Sequence, residues 1–459
     1  MTMLTRRRFL AVSAASAASV GSPALAAPAG EVDVAIIGAG AAGIAAARRL
    51  AGNRAKITVI EASGRIGGRC MTDTATFEVP FDRGAQVLVA ADVNPVMPLA
   101  AKSGLEMYPA SPSQRVRISR RYARTGEMED YLTAAVKADR AIADAGRKQD
   151  VSCAQALPKD LGDWQSTVEF TLGPYAYGRD LADLSAADLA RAAERDNGMF
   201  CQQGLGTLIA KLADGLPVQL SSPVSRIDAT ERNRVEIATA KGHVNARAVI
   251  VTVSTGVLMA GKLTFDPPLS KRHLDAIEKL QPGSRDRIAL ELPGNPLALQ
   301  RDELVFEKAQ SDHTAALLAN TYGTTLCTVE VGGKFGAGLA TAGEPAMLAF
   351  ALDWLTGLYG SDVRKAVRRT AVTRWNQDPW TLGASSTAAP GSQWARAALA
   401  EPVRDRIFFA GEATHETQWG TVGGAWASGE RAADAVLKKI GLTAEPVEPK
   451  RPSRTSHRR

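Results

Sequence analysis

Val32-Asp33-Val34-Ala35-Ile36-Ile37 is a nearly unbroken apolar, β-branched run rather than an alternating one. That pattern predicts a strand buried on both faces, as in a parallel sheet. Gly38-Ala39-Gly40-Ala41-Ala42-Gly43 follows at once, and residues 44–50 continue with good helix formers. Lys56-Ile57-Thr58-Val59-Ile60-Glu61 then reads as a second strand, ending in an acid 23 residues after Gly38. Two later apolar runs, 248–253 and 407–410, predict further buried strands, and 428–433 predicts a helix. Between them the chain is more mixed; residues 181–195 read as helical.

The G-x-G-x-x-G turn sits after a strand, before a helix, and ahead of an acid that ends the next strand. In that setting it is a strong dinucleotide signal. Gly38 permits the sharp turn, Gly40 lets backbone approach a pyrophosphate, and Gly43 lets helix and strand pack closely. The helix start beyond it, with Ala42, offers free N–H groups and about half a positive charge to phosphates. Glu61 suits a ribose diol.

Composition narrows the picture. The 459 residues suggest two or three structural units, and 45% hydrophobic with 22% charged residues describes an ordinary globular chain. Formal net charge is +7, but Arg6, Arg7 and Arg8 and the basic stretch from 441 onward carry most of it. The body is nearly neutral, so basicity gives no argument for nucleic-acid binding. Cys70, Cys153, Cys201 and Cys327 show no C-x-x-C spacing, and the five histidines show no metal spacing. No metal site is expected, and at most one disulfide.

The segment after Glu61 is more specific. Glu61-Ala62-Ser63-Gly64-Arg65-Ile66-Gly67-Gly68-Arg69 is E-A-x-x-R-x-G-G-R, and Asp82-Arg83-Gly84-Ala85 follows. Later come Gln203-Gly204-Leu205-Gly206, Phe265-Asp266-Pro267-Pro268-Leu269, and Trp375 to Trp380 as W-x-x-D-P-W. The last stretch pairs Gly411-Glu412 with Gly423-Gly424-Ala425. In this order the motifs resemble the flavin-containing amine oxidase family, which includes monoamine oxidases, polyamine oxidases and histone lysine demethylases. The similarity runs from about 31 to 440.

The resemblance implies an α/β fold in which a Rossmann-type FAD-binding domain is interleaved with an α+β substrate domain. Residues 31–82, 204–262 and 400–440 would form the first, and 83–203 and 263–399 the second. It implies non-covalent FAD held by Gly38, Gly40, Ala42, Gly43, Glu61, Ala62, Arg65, Gly68, Arg69, Val224, Trp380, Gly411, Glu412 and Val422. Covalent attachment is not expected, because no cysteine lies around Ser385.

The chain also departs from the family. A lysine commonly holds a water against flavin N5; Arg287 falls at its position. Arginine stays protonated where lysine can shift its pKa. That makes an electron carrier a stronger alternative to oxygen than is usual. The two aromatic rings that often enclose the substrate amine are replaced by Ser385 and Thr421. Trp419 would supply a ring from a shifted position, or serve only the core. His415 follows Gly-Glu closely enough to face the site. Amino-acid oxidases of the superfamily place an arginine after the Gly84 turn, where Gln86-Val87-Leu88-Val89 offers none. Asp92 is the only acid near that turn, which argues little for polyamines.

Residues 1–26 place three arginines before an Ala- and Ser-rich run ending in Ala24-Leu25-Ala26. This resembles a twin-arginine export signal with a cleavage site, implying a folded, cofactor-loaded protein sent to the periplasm by that machinery. No stable membrane insertion is expected, and the tail 441–459 reads as disordered. The expected activity is FAD-dependent oxidation of a small amine, with O2 or a periplasmic carrier as acceptor. Alternatives are another C–H donor, an amino acid among them, or a flavoprotein that binds without turnover.

Overall fold

The computed structural model describes residues 31–110 and 113–442. The expected export signal and the tail beyond Leu442 lie outside the described residues.

The first strand, Glu31–Ile37, lies at the centre of an eight-stranded sheet. It pairs in parallel with Ile57–Ile60 on one side and Gly242–Val251 on the other. Val34, Ala35 and Ile36 are fully buried, as the apolar run requires. Each branched side chain removed from water contributes about 1.5–3 kcal/mol. The strand Gly242–Val251 is long enough to serve two neighbours on its far edge. Val235–Thr239 pairs antiparallel with its first half, and Ile407–Phe409 parallel with its second. Val224–Asp228 extends that edge antiparallel, and Thr264–Asp266 then joins it in parallel. Thr264–Asp266 lies beyond the 204–262 segment expected in this unit.

The helix Ala41–Gly52 follows the glycine turn and packs on the last helix, Val422–Ile440. The two approach closely because the contact is made of small residues. A Cβ added to Gly429 would lie 2.1 Å from the Ala42 carbonyl oxygen.

A second, seven-stranded sheet runs Thr370–Val372, Arg285–Glu291, Leu326–Gly332, Ala316–Ala319, Glu303–Glu307, Gln114–Ile118, Arg121–Tyr122. Its core includes Ile288, Leu290, Val329 and Val331, all essentially buried. The fold is therefore mixed α/β, with helices packed against two large sheets and three small sheets of two or three strands beside them.

One helical expectation is corrected. Residues 181–195 do not form one helix: a single turn at Leu181–Asp183 precedes Ala186–Ala190, and the chain is irregular beyond. Ser185 interrupts it, its Oγ accepting the Asp188 N–H as an N-cap. The long helix of this region is instead Thr125–Lys148. It buries only the narrow stripe Tyr131, Ala134, Ala138 and Ile142, too alanine-rich to stand out in sequence. Glu127 accepts the Arg124 N–H at its start, and Arg147 and Lys148 sit at its negative end.

Candidate active site

A cavity of about 660 Å³ is lined both by the glycine turn of the first sheet and by the strand Arg285–Glu291 of the second. At the turn, Gly38 has φ +104°, which a side chain rarely adopts, and a Cβ there would meet Thr252 Oγ1 at 2.5 Å. Gly43 does not line the cavity; a Cβ on it would lie 1.9 Å from the Gly38 carbonyl. Its part is packing. Gly40, by contrast, faces the cavity, and a Cβ on it would have nothing closer than 3.9 Å.

Glu61 is buried beside the turn. Its Oε2 accepts the Ala39 N–H at 2.8 Å and its Oε1 the Ser63 N–H at 2.8 Å. An ionised carboxylate has about four acceptor positions, so lone pairs remain for hydroxyl donors. The Gly67-Gly68 pair, both at positive φ, brings backbone against Gly40. Ala42, Ala62, Arg65, Gly68, Arg69, Val224 and Trp380 also line the cavity, Trp380 with 42% of its surface exposed.

Gly411, Glu412, Thr421 and Val422 close the cavity from the C-terminal part of the chain. The Glu412 carboxylate is saturated by protein donors. Oε1 accepts from Arg69 Nη1 at 2.9 Å and the Ser386 N–H at 2.9 Å. Oε2 accepts from Ser386 Oγ at 2.8 Å and the Gly420 N–H at 2.8 Å. Burial works to raise its pKa, but Arg69, Arg396 and Ser386 outweigh that and hold it below the usual glutamate range. Glu412 thus ties the two halves of the cavity wall together. The Thr421 hydroxyl is also committed: it caps the helix Val422–Ile440 by accepting the Gly424 N–H at 2.9 Å, and donates to the Gln418 carbonyl. The helix N-terminus therefore meets the cavity.

The second sheet contributes a cationic wall. Arg287 lines the cavity but is not a loose counterpart of a lysine. Its Nε donates to Glu330 Oε1 at 3.1 Å, and Nη1 to the Asp82 and Gly84 carbonyls. Arg285, two residues earlier on the same strand face, donates to Glu330 Oε2. Burial would raise the Glu330 pKa, yet the two guanidiniums hold it at about 2. Tyr175 and Tyr177 stand nearby, at and just after the π-helical turn Thr171–Tyr175, with Arg285 over the Tyr175 ring at 4.8 Å. Arg195 enters from the irregular segment after the Ala186–Ala190 helix. It lies over the Tyr177 and Trp419 rings, 4.9 Å from each.

Two candidates move out of the site. Trp419 is fully buried and does not line the cavity; it packs against Tyr177, Arg195 and Arg396. His415 is absent from the lining, and its Nδ1 accepts the Gln418 N–H at 3.0 Å. Ser385 remains on the cavity wall. Cys70 also lines it, but burial pushes its thiol up to about 12. All four cysteines are unpaired and buried, so the allowance for one disulfide is withdrawn. Asp92 is exposed and hydrogen-bonded to Asn197. Among the described residues no His, Cys, Asp and Glu group has metal-site geometry, and no helix is long and apolar enough to cross a membrane.

Arg195, Arg285, Tyr175, Tyr177 and Glu330 were not singled out from sequence. The Arg285-Asp286-Arg287 alternation is the one local signal that two arginines share a face of the strand found there. Nothing local marks Arg195.

The cavity fits the FAD expectation on three counts: the turn open at Gly40, the buried acid with spare acceptor capacity, and the helix N-terminus facing the cavity. Comparison with known proteins agrees. Residues 41–437 match the family of flavin containing amine oxidoreductases. Human lysine-specific histone demethylase 2 is 31% identical over 88% of this chain and 53% of its own length. The chain thus spans about half of that relative. The probable polyamine oxidase 4 of Arabidopsis thaliana is 28% identical over 89% of this chain and 87% of its own. Cyclohexylamine oxidase from Brevibacterium oxydans shares the fold with a TM-score of 0.75 at 22% identity, covering 90% of this chain and all of that one. Putrescine oxidase bound to putrescine does so with a TM-score of 0.76 at 19% identity and the same coverage. By its motifs, its fold and this match, the chain belongs to the flavin-containing amine oxidoreductase family, with FAD as its cofactor.

Proposed function

We propose that the protein oxidises an amine to an imine, which water hydrolyses to an aldehyde or ketone. The observation that carries this reading is the single cavity shared by the nucleotide cradle and the Arg285–Glu291 wall. The relatives named as demethylase, polyamine oxidase, cyclohexylamine oxidase and putrescine oxidase support the reaction class.

FAD, once bound, supplies the hydride acceptor at N5. The protein's own work is placement and field. The N-terminus of the helix Val422–Ile440 favours negative charge beside it. Arg195, Arg285 and Arg287 disfavour an ammonium ion in the cavity, so a bound amine is held in its neutral form, the form that can lose hydride. Arg287, anchored by Glu330, presents a fixed guanidinium where the family commonly has a lysine. On that ground the electron acceptor is a carrier in preference to oxygen. We also propose export to the periplasm by the twin-arginine route, supported by the order of features in residues 1–26.

The test is the flavin absorbance of the purified protein mixed without oxygen with a panel of amines. Bleaching supports the reading, and its absence with every amine while FAD is bound removes it. Readmitting air separates the acceptors: prompt recovery of colour assigns oxygen. Arg6→Lys with Arg7→Lys retaining the protein in the cytoplasm supports export by the twin-arginine route; unchanged export counts against it.

A further inference from the structure

Seven cationic and three carboxylate side chains line the cavity. All three carboxylates have protein partners. Glu61 serves Ala39 and Ser63, Glu412 is saturated, and Asp378 accepts the Trp380 N–H and lies within electrostatic reach of Arg65. Around Tyr175 and Tyr177 the lining charges are Arg195, Arg285 and Arg287, with one carboxylate, Glu330, behind them. A cationic substrate has no partner on that side.

Arg195 is the least satisfied of the three. One Nη2 bond goes to the Trp419 carbonyl at 2.8 Å. Its Nε is buried with no hydrogen-bond partner. Leaving a buried charged donor unpaired is costly, and a guanidinium has five N–H groups to place. The rings of Tyr177 and Trp419 hold the group still. It reaches the turn that carries Thr421: a Cβ built on Gly420 would lie 3.9 Å from Arg195 Nη2 and 3.2 Å from Ser385 Cβ. The cation therefore stands beside Ser385 and Thr421, where the sequence reading looked for rings around an amine. An arginine fork matches a carboxylate with paired N–H bonds.

We propose that the amine oxidised here carries a carboxylate, and that Arg195 binds it. This rests on the amine-oxidation reading and names its substrate class: an amino acid, free or N-substituted. No arginine stands at 86–89, and Arg195 supplies the charge from another segment. The reaction balances simply. A hydride leaves the carbon bearing nitrogen for the bound flavin, and nitrogen loses a proton. Water then adds to the imine and expels ammonia or a primary amine, leaving an oxo acid. With FAD bound, the two electrons would go on to an electron carrier, or to oxygen, giving hydrogen peroxide.

The test uses the FAD-loaded protein and pairs that differ only by the carboxylate: L-leucine against 3-methylbutylamine, and L-phenylalanine against 2-phenylethylamine, with putrescine as a dication. Flavin bleaching is followed without oxygen. In parallel, benzoate, which has no oxidisable amine, is titrated against the flavin spectrum. The acid of each pair is expected to bleach the flavin faster, and benzoate to perturb the spectrum. Arg195→Met should raise the benzoate Kd and the amino-acid KM about 10- to 100-fold, with Arg195→Lys recovering part of the loss. Faster bleaching by the plain amines or putrescine, with no benzoate binding, overturns the proposal and leaves amine oxidation standing. If nothing bleaches the flavin, amine oxidation falls. Benzoate then decides the site alone: binding weakened in Arg195→Met and partly recovered in Arg195→Lys supports it, and no binding overturns it. Should Arg195→Met fail to hold FAD, Arg195→Lys and the wild-type pairs give the same decision.

Discussion

Glu330 holds Arg287 from the neighbouring strand, directly opposite it in register, with Nε donating to Oε1 at 3.1 Å. The same carboxylate also takes Arg285, so one buried anion balances two guanidiniums. Glu330→Gln keeps the shape and removes the charge. It should cost about 3 kcal/mol, the low end for a broken buried pair, because the Arg285 side chain is 32% exposed. Denaturant unfolding of both proteins with FAD bound checks it. Equal stabilities would mean that solvent in the cavity already satisfies the arginines.

Asp286, between those arginines in sequence, is buried in a different setting. Its Oδ1 accepts from Thr373 and the Trp375 N–H, while Oδ2 has no partner. Burial outweighs those bonds and pushes its pKa up from 3.8 to about 6. Below 3.8 the group is protonated in both states and has no effect. Between 3.8 and 6 the folded protein holds a proton that the unfolded chain has lost, so stability falls as pH rises; above 6 the loss is complete. Asp286→Asn removes this slope. Relative to the parent it should gain up to about 3 kcal/mol between pH 4 and pH 7, read as a widening gap between the two Tm curves. Parallel curves would reject the assignment.

Thr421→Ala deletes the N-cap of the helix Val422–Ile440. A loss of about 1 kcal/mol is expected, together with weaker FAD retention, since that helix end meets the cavity. Thr421→Ser keeps the hydroxyl and should restore both. If serine restores stability but not flavin reduction, the threonine methyl takes part in substrate placement.

Gly43 and Gly40 should fail in different ways. Gly43→Ala drives a Cβ into the Gly38 carbonyl, at 1.9 Å, so little folded protein is expected. Gly40→Ala has room for its Cβ in the apoprotein but intrudes on the cavity. It should fold normally and lose FAD affinity, by about 1–3 kcal/mol if the overlap resembles overpacking elsewhere. Circular dichroism and flavin absorbance separate the two outcomes.

The nucleotide half of the cavity was legible because its signals are local. A strand, three spaced glycines and a terminal acid occupy about thirty consecutive residues, and each position has its own physical reason. The other half was not. Arg195 meets Tyr177 and Trp419, and Arg287 meets Glu330, across tens to hundreds of residues that no periodicity connects. Trp419 reads as a site residue because it lies two positions before Thr421; its burial is decided by Tyr177, Arg195 and Arg396. The helix expected over 181–195 fails for a local reason that was visible: Ser185 offers its hydroxyl to the backbone three residues on. Asp188 is then held by Arg396 in a fully buried pair, fixing the break in place.

The clasp at Glu412 sets an order of events during synthesis. Its partners Arg69, Ser386 and Gly420 come from both ends of the described chain, and the strand just before it, Ile407–Phe409, pairs with Gly242–Val251. A nascent chain can build the glycine turn early but has no closed pocket until the segment through Val422 has left the ribosome. Cofactor loading is therefore a final maturation step. A chain cut short after about residue 405 would carry the whole dinucleotide fingerprint and still emerge colourless.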